Sequence, residues 1–409
     1  MKGDRMDRRE FLERGAAATF MIMKPSLVRG SAANSAIRIG LLGCGGRGTA
    51  VATSFANNTT ARIVALADLF QDRLDTARQH FDDIAEKKGY SGVDRSLIFR
   101  GHRAFEELAN SKGIDSVHIS TPDYFHPEHL EAVVAAGKHV YCEKPAAVDV
   151  AGTRRFLEIA KKAEGRLSLE VGFQIRSAPP FVELVKRIHE GQIGEIACIS
   201  GHYHAGAIVL PPRGDISPLE LRIRNWYWDR TLTGDIILDQ NIHVIDICNW
   251  VLKGHPVKAV GSCGRKVRHD PGDCSDHYSL VFTYPGGVHL TFDSFQYGKA
   301  MSEVTARFMG SKGVAESPYS GPMRILGDDP WTYAGASTNN LKDADSEKDK
   351  GFVESITSGN FHNQAAAGVE SALSCMLGRM AAQRGGEVTW EELVKSNERY
   401  DAKLDLSRL

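Results

Sequence analysis

The sequence has no run of the roughly 20 apolar residues that a membrane-spanning helix needs. Its 409 residues carry a formal net charge of only −1, and no block of basic residues stands out. A nucleic-acid-binding surface would concentrate Lys and Arg on one face. We therefore predict neither membrane insertion nor a nucleic-acid partner. The chain is long enough for two domains with separate cores.

The cysteines also lack a pattern. There are seven, irregularly spaced, and none forms a CxxC pair. This argues against a disulfide framework and against a zinc–thiolate site. Most of them lie inside apolar runs, where they are interpreted as small core residues.

The first 33 residues differ in character from the rest. Arg8 and Arg9 precede a short apolar run, Gly15 to Met23, and small residues follow in "GSAANSA". The pattern predicts an export signal, and the paired arginines resemble the twin-arginine type. An amphipathic N-terminal helix is the alternative. We accordingly expect residues 1–33 to be a signal peptide and the protein to be periplasmic.

Short apolar strands and helices alternate from Ile37 onward. The run "IRIGLLG" is followed by a helical segment, then by "RIVALAD", and the alternation continues to about Arg176. Continuous apolar strands of this kind are buried on both faces of a parallel sheet. The pattern predicts an α/β fold with a doubly wound Rossmann sheet over residues 34–176.

Hairpin spacing replaces this alternation in residues 177–409. The segments "HYSLVFTY", "PGG" and "VHLTFDSF" follow one another with alternating hydrophobicity, which predicts an α+β domain with a mainly antiparallel open sheet. The polar stretch 337–351 is predicted to be a surface loop, and "NQAAAGVESALSCMLGRMAAQ" and "WEELVKSNERYDAKL" are predicted to be helices. This domain is expected to bind substrate and to join copies of the chain into a homo-oligomer.

A glycine-rich turn stands between the first predicted strand and helix. It has the spacing G-x-G-x-x-G in the strand–turn–helix context that a dinucleotide-binding site requires. A carboxylate at the end of the second strand can accept hydrogen bonds from an adenosine ribose and would repel a 2′-phosphate, so NAD is favoured over NADP. A glycine turn without ligand, with the carboxylate as a helix cap, is the alternative. The predicted cofactor contacts are Gly43, Gly45, Gly46, Arg47, Gly48 and Asp68.

Two further strands end in residues suited to a cofactor site. Thr121-Pro122 and Glu143-Lys144 follow apolar strands, and ligands of open parallel sheets bind at the carboxyl ends of the strands. Lys144 could hold a substrate hydroxyl beside the nicotinamide; a surface ion pair with Glu143 is the alternative. The cofactor contacts predicted here are Thr121, Pro122, His126, Glu143 and Lys144.

The segment "GDIILDQNIHVIDICNWV" places an acid and a base at helical spacing. Asp239 and His243 are four residues apart, so Asp239 could hold the imidazole while it takes or gives a proton. A hydrogen-bonded core histidine is the alternative. His202 and His204, with these two residues, could also bind a metal. Nothing in the sequence brings the four together, and we predict no metal.

An aromatic loop, "RNWYWDR", precedes that helix and could either stack on a sugar ring or belong to the core. The predicted substrate contacts are Lys144, His204, Trp226, Tyr227, Asp239 and His243.

Taken together, these motifs resemble the Gfo/Idh/MocA family, the glucose–fructose oxidoreductase and inositol dehydrogenase group. The stretch "AGKHVYCEKP" is the most specific part of the resemblance. It implies that Lys144 is the catalytic lysine, that Asp239 and His243 transfer the proton, and that the Lys144–Pro145 bond is cis. Gln240 and Asn241 depart from the small residues usual in this family, which puts substrate specificity in question.

The resemblance implies an NAD-dependent oxidoreductase acting on a carbohydrate or cyclitol hydroxyl. The same family includes redox-neutral, NAD-dependent glycosidases, which are the alternative. A non-catalytic sugar-binding protein is a third hypothesis, and the presence of the Lys–Asp–His set argues against it. An exported enzyme meets almost no free NAD, so the sequence also predicts that the cofactor is held tightly between turnovers.

Overall fold

The computed structural model describes residues 36–208, 214–298, 302–335 and 338–409, so the predicted signal peptide lies outside the described residues. A parallel six-stranded sheet has the strand order β3-β2-β1-β4-β5-β6. The order reverses between β1 and β4, which creates a crevice at the carboxyl ends of the central strands. The strands are β1 (Arg38–Leu42), β2 (Arg62–Asp68), β3 (Ile98–Arg100), β4 (Ser116–Ile119), β5 (His139–Cys142) and β6 (Leu169–Val171).

Helices connect these strands, as expected for the doubly wound arrangement. The central strands are buried, because helices cover both faces of the sheet. The helices are α1 (Gly46–Asn58), α2 (Gln71–Lys88), α3 (Ala104–Asn110), α4 (His126–Ala135), α5 (Val150–Ala163) and α6 (Pro179–His189).

A nine-stranded sheet follows, and all of its neighbouring strands are antiparallel except β7 and β10. Its strands are β7 (Ile196–Gly206), β8 (Lys258–Gly264), β9 (His277–Thr283), β10 (His289–Gly298), β11 (Glu303–Gly310), β12 (Gly313–Glu316), β13 (Arg324–Gly327), β14 (Trp331–Thr332) and β15 (Val388–Thr389). The predicted fold class, a Rossmann domain followed by a mainly antiparallel open sheet, is confirmed.

Helices pack on one face of this second sheet. The covered face carries alternate buried residues such as Tyr278, Leu280 and Phe282, and the intervening residues lie on the open face. The helices after β7 are α7 (Pro218–Arg224), α8 (Arg230–Thr233), α9 (Ile236–Asp239), α10 (Ile242–Leu252), α11 (Ala344–Ser358), α12 (Ala365–Arg384) and α13 (Trp390–Ser396).

Two secondary-structure predictions in the C-terminal part are wrong. Most of the stretch expected to be a surface loop, 337–351, belongs to α11, whose polar residues Lys348 and Asp349 are buried. The ion pair of Lys348 with Asp345 makes the burial of the lysine possible, and hydrophobic periodicity does not reveal it. The last predicted helix ends early, because Asn397 adopts a left-handed backbone conformation at φ 53°. An extended tail follows it.

No helix in the described part of the chain is long and apolar enough to cross a membrane. All seven cysteines lie in the described part of the chain as free thiols. The domain boundary at residue 176 stays a prediction.

Candidate active site

Two connected cavities lie at the carboxyl edge of the parallel sheet. The first, of about 340 Å³, is lined by the glycine turn, Asp68 and Pro122. The second, of about 230 Å³, is lined by Lys144, His243 and residues of the C-terminal part. Arg47, Ser120, Thr121, Trp226 and Tyr227 line both cavities.

The glycine turn has the shape of a phosphate cradle. Gly43 has φ +93°, and a Cβ there would stand 2.5 Å from the carbonyl oxygen of Ser120. A Cβ on Gly48 would stand 2.1 Å from the carbonyl oxygen of Gly43. The next helix, α1, begins at Gly46 with no side-chain cap and no acidic residue in its first turn, so its free N–H groups face the cavity. The residues present therefore fit a pyrophosphate.

Asp68 closes this first cavity at the end of β2. Its carboxylate accepts hydrogen bonds from the backbone N–H groups of Cys44 (2.7 Å) and Phe70 (2.9 Å). Burial raises the pKa of Asp68, and these hydrogen bonds oppose the shift. Asp68 thus caps the backbone N–H groups of the turn, as the alternative interpretation predicted. It also lines the cavity, where its carboxylate could contact a ribose.

Arg47 ties the glycine turn to two other elements. Its Nε donates to Glu143 at 3.0 Å, and its two terminal nitrogens donate to Asp345 of α11 at 2.9 and 3.1 Å. Burial alone would raise the pKa of Glu143, but Arg47, Lys348 and Lys144 lower it to about 2. Glu143 is therefore ionised. It forms its ion pair with Arg47 rather than with Lys144, and it holds the guanidinium of Arg47 in place.

Lys144 lies in the second cavity. It follows β5 and precedes a cis peptide bond to Pro145, as the family resemblance implied. Its ammonium donates to the backbone carbonyl of Asp239 and lies 3.4 Å from that residue's carboxylate oxygen Oδ1. Burial lowers the pKa of Lys144, but the carboxylates of Asp239, Asp123 and Glu143 outweigh it and raise the pKa above its ordinary value. Lys144 is a cation throughout the physiological range.

His243 belongs to α10 and lines the same cavity. Burial, together with the positive charges of Lys144 and Arg47, holds the pKa of His243 well below its usual value. Its ring meets Phe173 edge-on at 6.3 Å, and its Nδ1 is buried with no hydrogen-bond partner among the described residues. The imidazole is thus neutral and free to accept a proton.

The predicted helical pairing of Asp239 with His243 is wrong. The segment is two helices rather than one: α9 ends at Asp239, and Gln240 and Asn241 separate it from α10. The carboxylate of Asp239 faces Lys144, and no hydrogen bond joins it to His243 in the described structure. Asp239 therefore stabilises the charged form of Lys144.

Two other predicted contacts lie outside the cavities. His204 is on the open face of the nine-stranded sheet, whereas its neighbour Tyr203 lines the second cavity, because successive strand residues point to opposite faces. The same alternation separates His202 and His204 from Asp239 and His243, so this four-residue metal set does not form. His126 is buried, with its ring nitrogens 3.0 Å from the carbonyl of Thr121 and 2.7 Å from that of Pro145. It holds the two strand ends together.

The remaining predicted residues line the cavities, including Trp226 and Tyr227, whose rings stack at 3.9 Å. Sequence reasoning missed Asp123, whose carboxyl is buried and has one oxygen that no described residue pairs with. Burial and the neighbouring Asp239 raise its pKa well above the ordinary value. Its position directly after Thr121-Pro122, at the end of β4, could have identified it as a site residue. Tyr203, Gln174 and Gln240 were missed as well.

The C-terminal tail and α7 close the first cavity on its far side. Leu406 of the tail and Ile223 of α7 line the cavity wall. The guanidinium of Arg224 lies 3.8 Å from the ring centre of Phe70 and pairs with Asp72 at 2.7 Å. The tail is held in turn by Arg222, which donates to the carbonyl of Ala402 at 2.7 Å. Asp68 lines the same cavity as this wall.

Comparison with known proteins agrees with this geometry. Residues 37–171 match the family model described as "Oxidoreductase family, NAD-binding Rossmann fold", and residues 181–316 match the "GFO/IDH/MocA C-terminal domain". The inositol 2-dehydrogenase of Acidiphilium cryptum (strain JF-5) is 26% identical over 291 residues, 71% of this chain and 76% of the relative.

Solved structures share the fold. The aldose-aldose oxidoreductase from Caulobacter crescentus, complexed with glycerol, superposes with a TM-score of 0.69 at 22% identity, over 87% of this chain and 99% of that one. A levoglucosan dehydrogenase in complex with NADH and levoglucosan gives a TM-score of 0.69 at 19% identity, over 86% and 99%. With both family models matched in order around the cavities described above, the chain belongs to the Gfo/Idh/MocA family of oxidoreductases, and the cofactor of its Rossmann domain is NAD.

Proposed function

We propose that this protein is a dehydrogenase that oxidises a hydroxyl of a carbohydrate or cyclitol with NAD. The observation that carries the proposal is the pairing of a charged Lys144 with a neutral His243 in one cavity that opens into the NAD cleft. The names of the relatives, an inositol 2-dehydrogenase and sugar oxidoreductases, support the substrate class.

Lys144 provides electrostatic stabilisation in this proposal. Its ammonium has donors to spare after the contacts with Asp239, and it points into the cavity. A hydroxyl oxygen bound there would develop negative charge as the C–H bond breaks, and a fixed cation stabilises that charge. Because three carboxylates keep Lys144 protonated, it does not serve as the proton acceptor at neutral pH.

His243 is the proton acceptor by the same reasoning. It is neutral because of burial and the nearby cations, and no described residue hydrogen-bonds its Nδ1. In the oxidative direction it takes the hydroxyl proton, and in the reductive direction it returns it. NAD, when bound, supplies the hydride acceptor in the adjoining cleft.

The walls of the second cavity suit a small polyhydroxylated substrate. Tyr203, Gln174 and Gln240 bring hydroxyl and amide groups, and Tyr227 brings an aromatic ring. Its volume of about 230 Å³ lies below the usual range of ligand sites, roughly 300–1,000 Å³. The cavity therefore favours a single ring over a polymer. Gln240 occupies the break between α9 and α10, so the family departure noted in the sequence lies in the substrate site.

A redox-neutral glycosidase is the second candidate. The closure of the NAD cleft by α7 and the C-terminal tail supports slow release of the cofactor. A cofactor that stays bound must be reoxidised while it is bound, as happens when the hydride returns to the same substrate. We also propose that residues 1–33 direct export of the folded protein, which would make retention of NAD necessary.

The test begins with protein purified without added nucleotide. It is supplied with NAD and a panel of cyclitols, free sugars and glycosides, and absorbance at 340 nm and released aglycone are recorded. Net NADH identifies the dehydrogenase, and aglycone without net NADH identifies the glycosidase. Neither product from any member of the panel would contradict both candidates.

Lys144→Ala should leave NAD binding intact and lower turnover on the order of 10²–10⁴-fold, as expected when a positioned charge or proton-transfer group is lost. Lys162→Ala, which removes an exposed lysine from α5, is the matched control and should keep the wild-type rate. A Lys144→Ala enzyme with near-normal turnover would overturn the site assignment.

A further inference from the structure

We propose that the open face of the nine-stranded sheet carries a divalent transition-metal site formed by His202, His204 and Asp293. The two histidines are two residues apart on β7 and share that face. Asp293 of the neighbouring β10 is directly paired with His202. Two adjacent strands therefore bring the three side chains to one point. The sequence analysis did not consider Asp293, which lies 89 residues from His204 along the chain.

The three side chains already contact one another. Oδ1 of Asp293 lies 2.6 Å from Nδ1 of His202, and Oδ2 contacts Nε2 of His204. All three candidate ligand atoms lie within 4.8 Å of one another. An ion with bonds of roughly 2.0–2.2 Å to nitrogen and oxygen would fit between them after small side-chain rotations.

Neighbouring groups fix the orientation of both rings. Ser200 Oγ lies 3.1 Å from Nε2 of His202, which leaves Nδ1 directed at the cluster. The ring of His204 stacks on Phe295 at 4.4 Å with an interplanar angle of 10°. Outer groups of this kind orient metal-binding imidazoles. Nδ1 of His204 is buried, has no hydrogen-bond partner in the part of the chain that the structure describes, and lies 4.0 Å from Glu303. Glu303 of β11 is the strand partner of His204.

The ligand set selects the class of ion. Two imidazoles and one carboxylate suit Zn²⁺, Co²⁺ or Ni²⁺, whereas Ca²⁺ and Mg²⁺ prefer all-oxygen sites. Three protein ligands leave at least one coordination position for water or another group. The site lies on the opposite face of the sheet from Tyr203, which lines the substrate cavity, so it is separate from the hydride chemistry.

The experiment uses the full chain, dialysed against a chelator and then against buffer. Titration with Zn²⁺ is followed by calorimetry, and Co²⁺ is used as a probe whose visible absorption reports nitrogen and oxygen ligands. One ion per chain is expected. His202→Ala and Asp293→Asn should each weaken Zn²⁺ binding by more than about 10-fold, the lower end of the loss from removing even an outer-shell partner.

His289→Ala is the matched control, because His289 is exposed on the same face of β10 outside the cluster. It should bind Zn²⁺ as the wild type does. His202→Gln is the second variant, in case the alanine substitution impairs folding. A wild-type protein that binds no ion, or variants that bind as tightly as wild type, would show that Asp293 only hydrogen-bonds the two histidines.

Discussion

Lys144 and His243 share one cavity yet carry different charges, and their neighbours explain the difference. Burial disfavours the charged form of both residues. For Lys144 three carboxylates outweigh burial, whereas for His243 the cations Lys144 and Arg47 add to it. In the proposed function, the electrostatic role and the base role therefore belong to separate residues.

The pH dependence of oxidation tests this division. Protonation removes His243 as an acceptor, so kcat/KM should fall on the acid side with an apparent pKa below the ordinary histidine value of about 6.5. His243→Gln should lower kcat on the order of 10²–10⁴-fold and abolish that acid limb. His289→Gln, at an exposed histidine, should keep the wild-type profile. An unchanged acid limb in His243→Gln would assign the base elsewhere.

We expect Asp68 to determine the choice between NAD and NADP. Asp68→Ala should weaken NAD binding and raise the relative affinity for NADP, because it removes a ribose acceptor and a charge that repels a 2′-phosphate. Since Asp68 also caps Cys44 and Phe70, a thermal melt must show that the variant is folded. Asp75→Ala, on the exposed side of α2, is the control. Unchanged affinities for both nucleotides would leave Asp68 as a cap alone.

Among the elements, α11 is the one that most directly supports the site. Its Asp345 holds the guanidinium of Arg47, and Lys348 donates to Asp345 at 2.6 Å. The next residue, Asp349, is fully buried. Burial raises the pKa of Asp349 to about 7, although Lys348 opposes the shift.

This raised pKa predicts a pH-dependent stability. The folded state keeps the Asp349 proton up to about pH 7, whereas the unfolded chain loses it near its ordinary pKa of about 4. The stability that this proton contributes is present below pH 4 and is lost as pH rises through 7. Asp349→Asn should therefore be more stable than wild type at pH 8, by on the order of 3 kcal/mol, with the gap closing toward pH 4.

Urea unfolding at several pH values measures this effect. Glu354→Gln, at an exposed position of the same helix, should show no such pH-dependent gain. If the free energies of unfolding of Asp349→Asn and wild type differ by the same amount at every pH from 4 to 8, the raised pKa of Asp349 is contradicted.

At the scale of the whole molecule, the two ends of the described chain meet at the NAD cleft. The glycine turn forms one side, and the tail after α13 forms part of the other. A buried Arg379 anchors the start of that tail by pairing with Glu398 and by donating to the carbonyls of Val148 and Gly234 at 2.9 Å. The tail is thus held in place as part of the wall of the NAD cleft.

Removal of this wall should speed the release of NAD. Deletion of residues 403–409, or the milder Leu406→Ala, exposes apolar surface of the cleft. Leu406 is only partly buried, so the expected loss is about 1 kcal/mol, or roughly 5-fold in dissociation. Nucleotide per chain after extensive dialysis is the measurement. Leu326→Ala, at an exposed leucine of β13, is the control. Equal retention in the tail variants and wild type would show that the tail does not hold the cofactor.

The sequence by itself determined those features whose physical cause is local. The glycine spacing, the apolar strands and the Glu143-Lys144-Pro145 end of β5 each specify a turn, a buried sheet and a strand tip within a few residues, so the Rossmann domain and its NAD site could be predicted. The break at Gln240 lay in the one segment that departed from the family pattern, but its effect on Asp239 was not foreseen.

Only the tertiary structure decided which side chains meet across long separations. Asp345 reaches Arg47 from 298 residues away, and Asp123, Tyr203 and Leu406 enter the cavities from three different elements. The same is true of charge: His243 is neutral and Lys144 charged because of the groups packed around them. Burial and Coulomb interactions depend on distances in space, and hydrophobic periodicity contains no information about them.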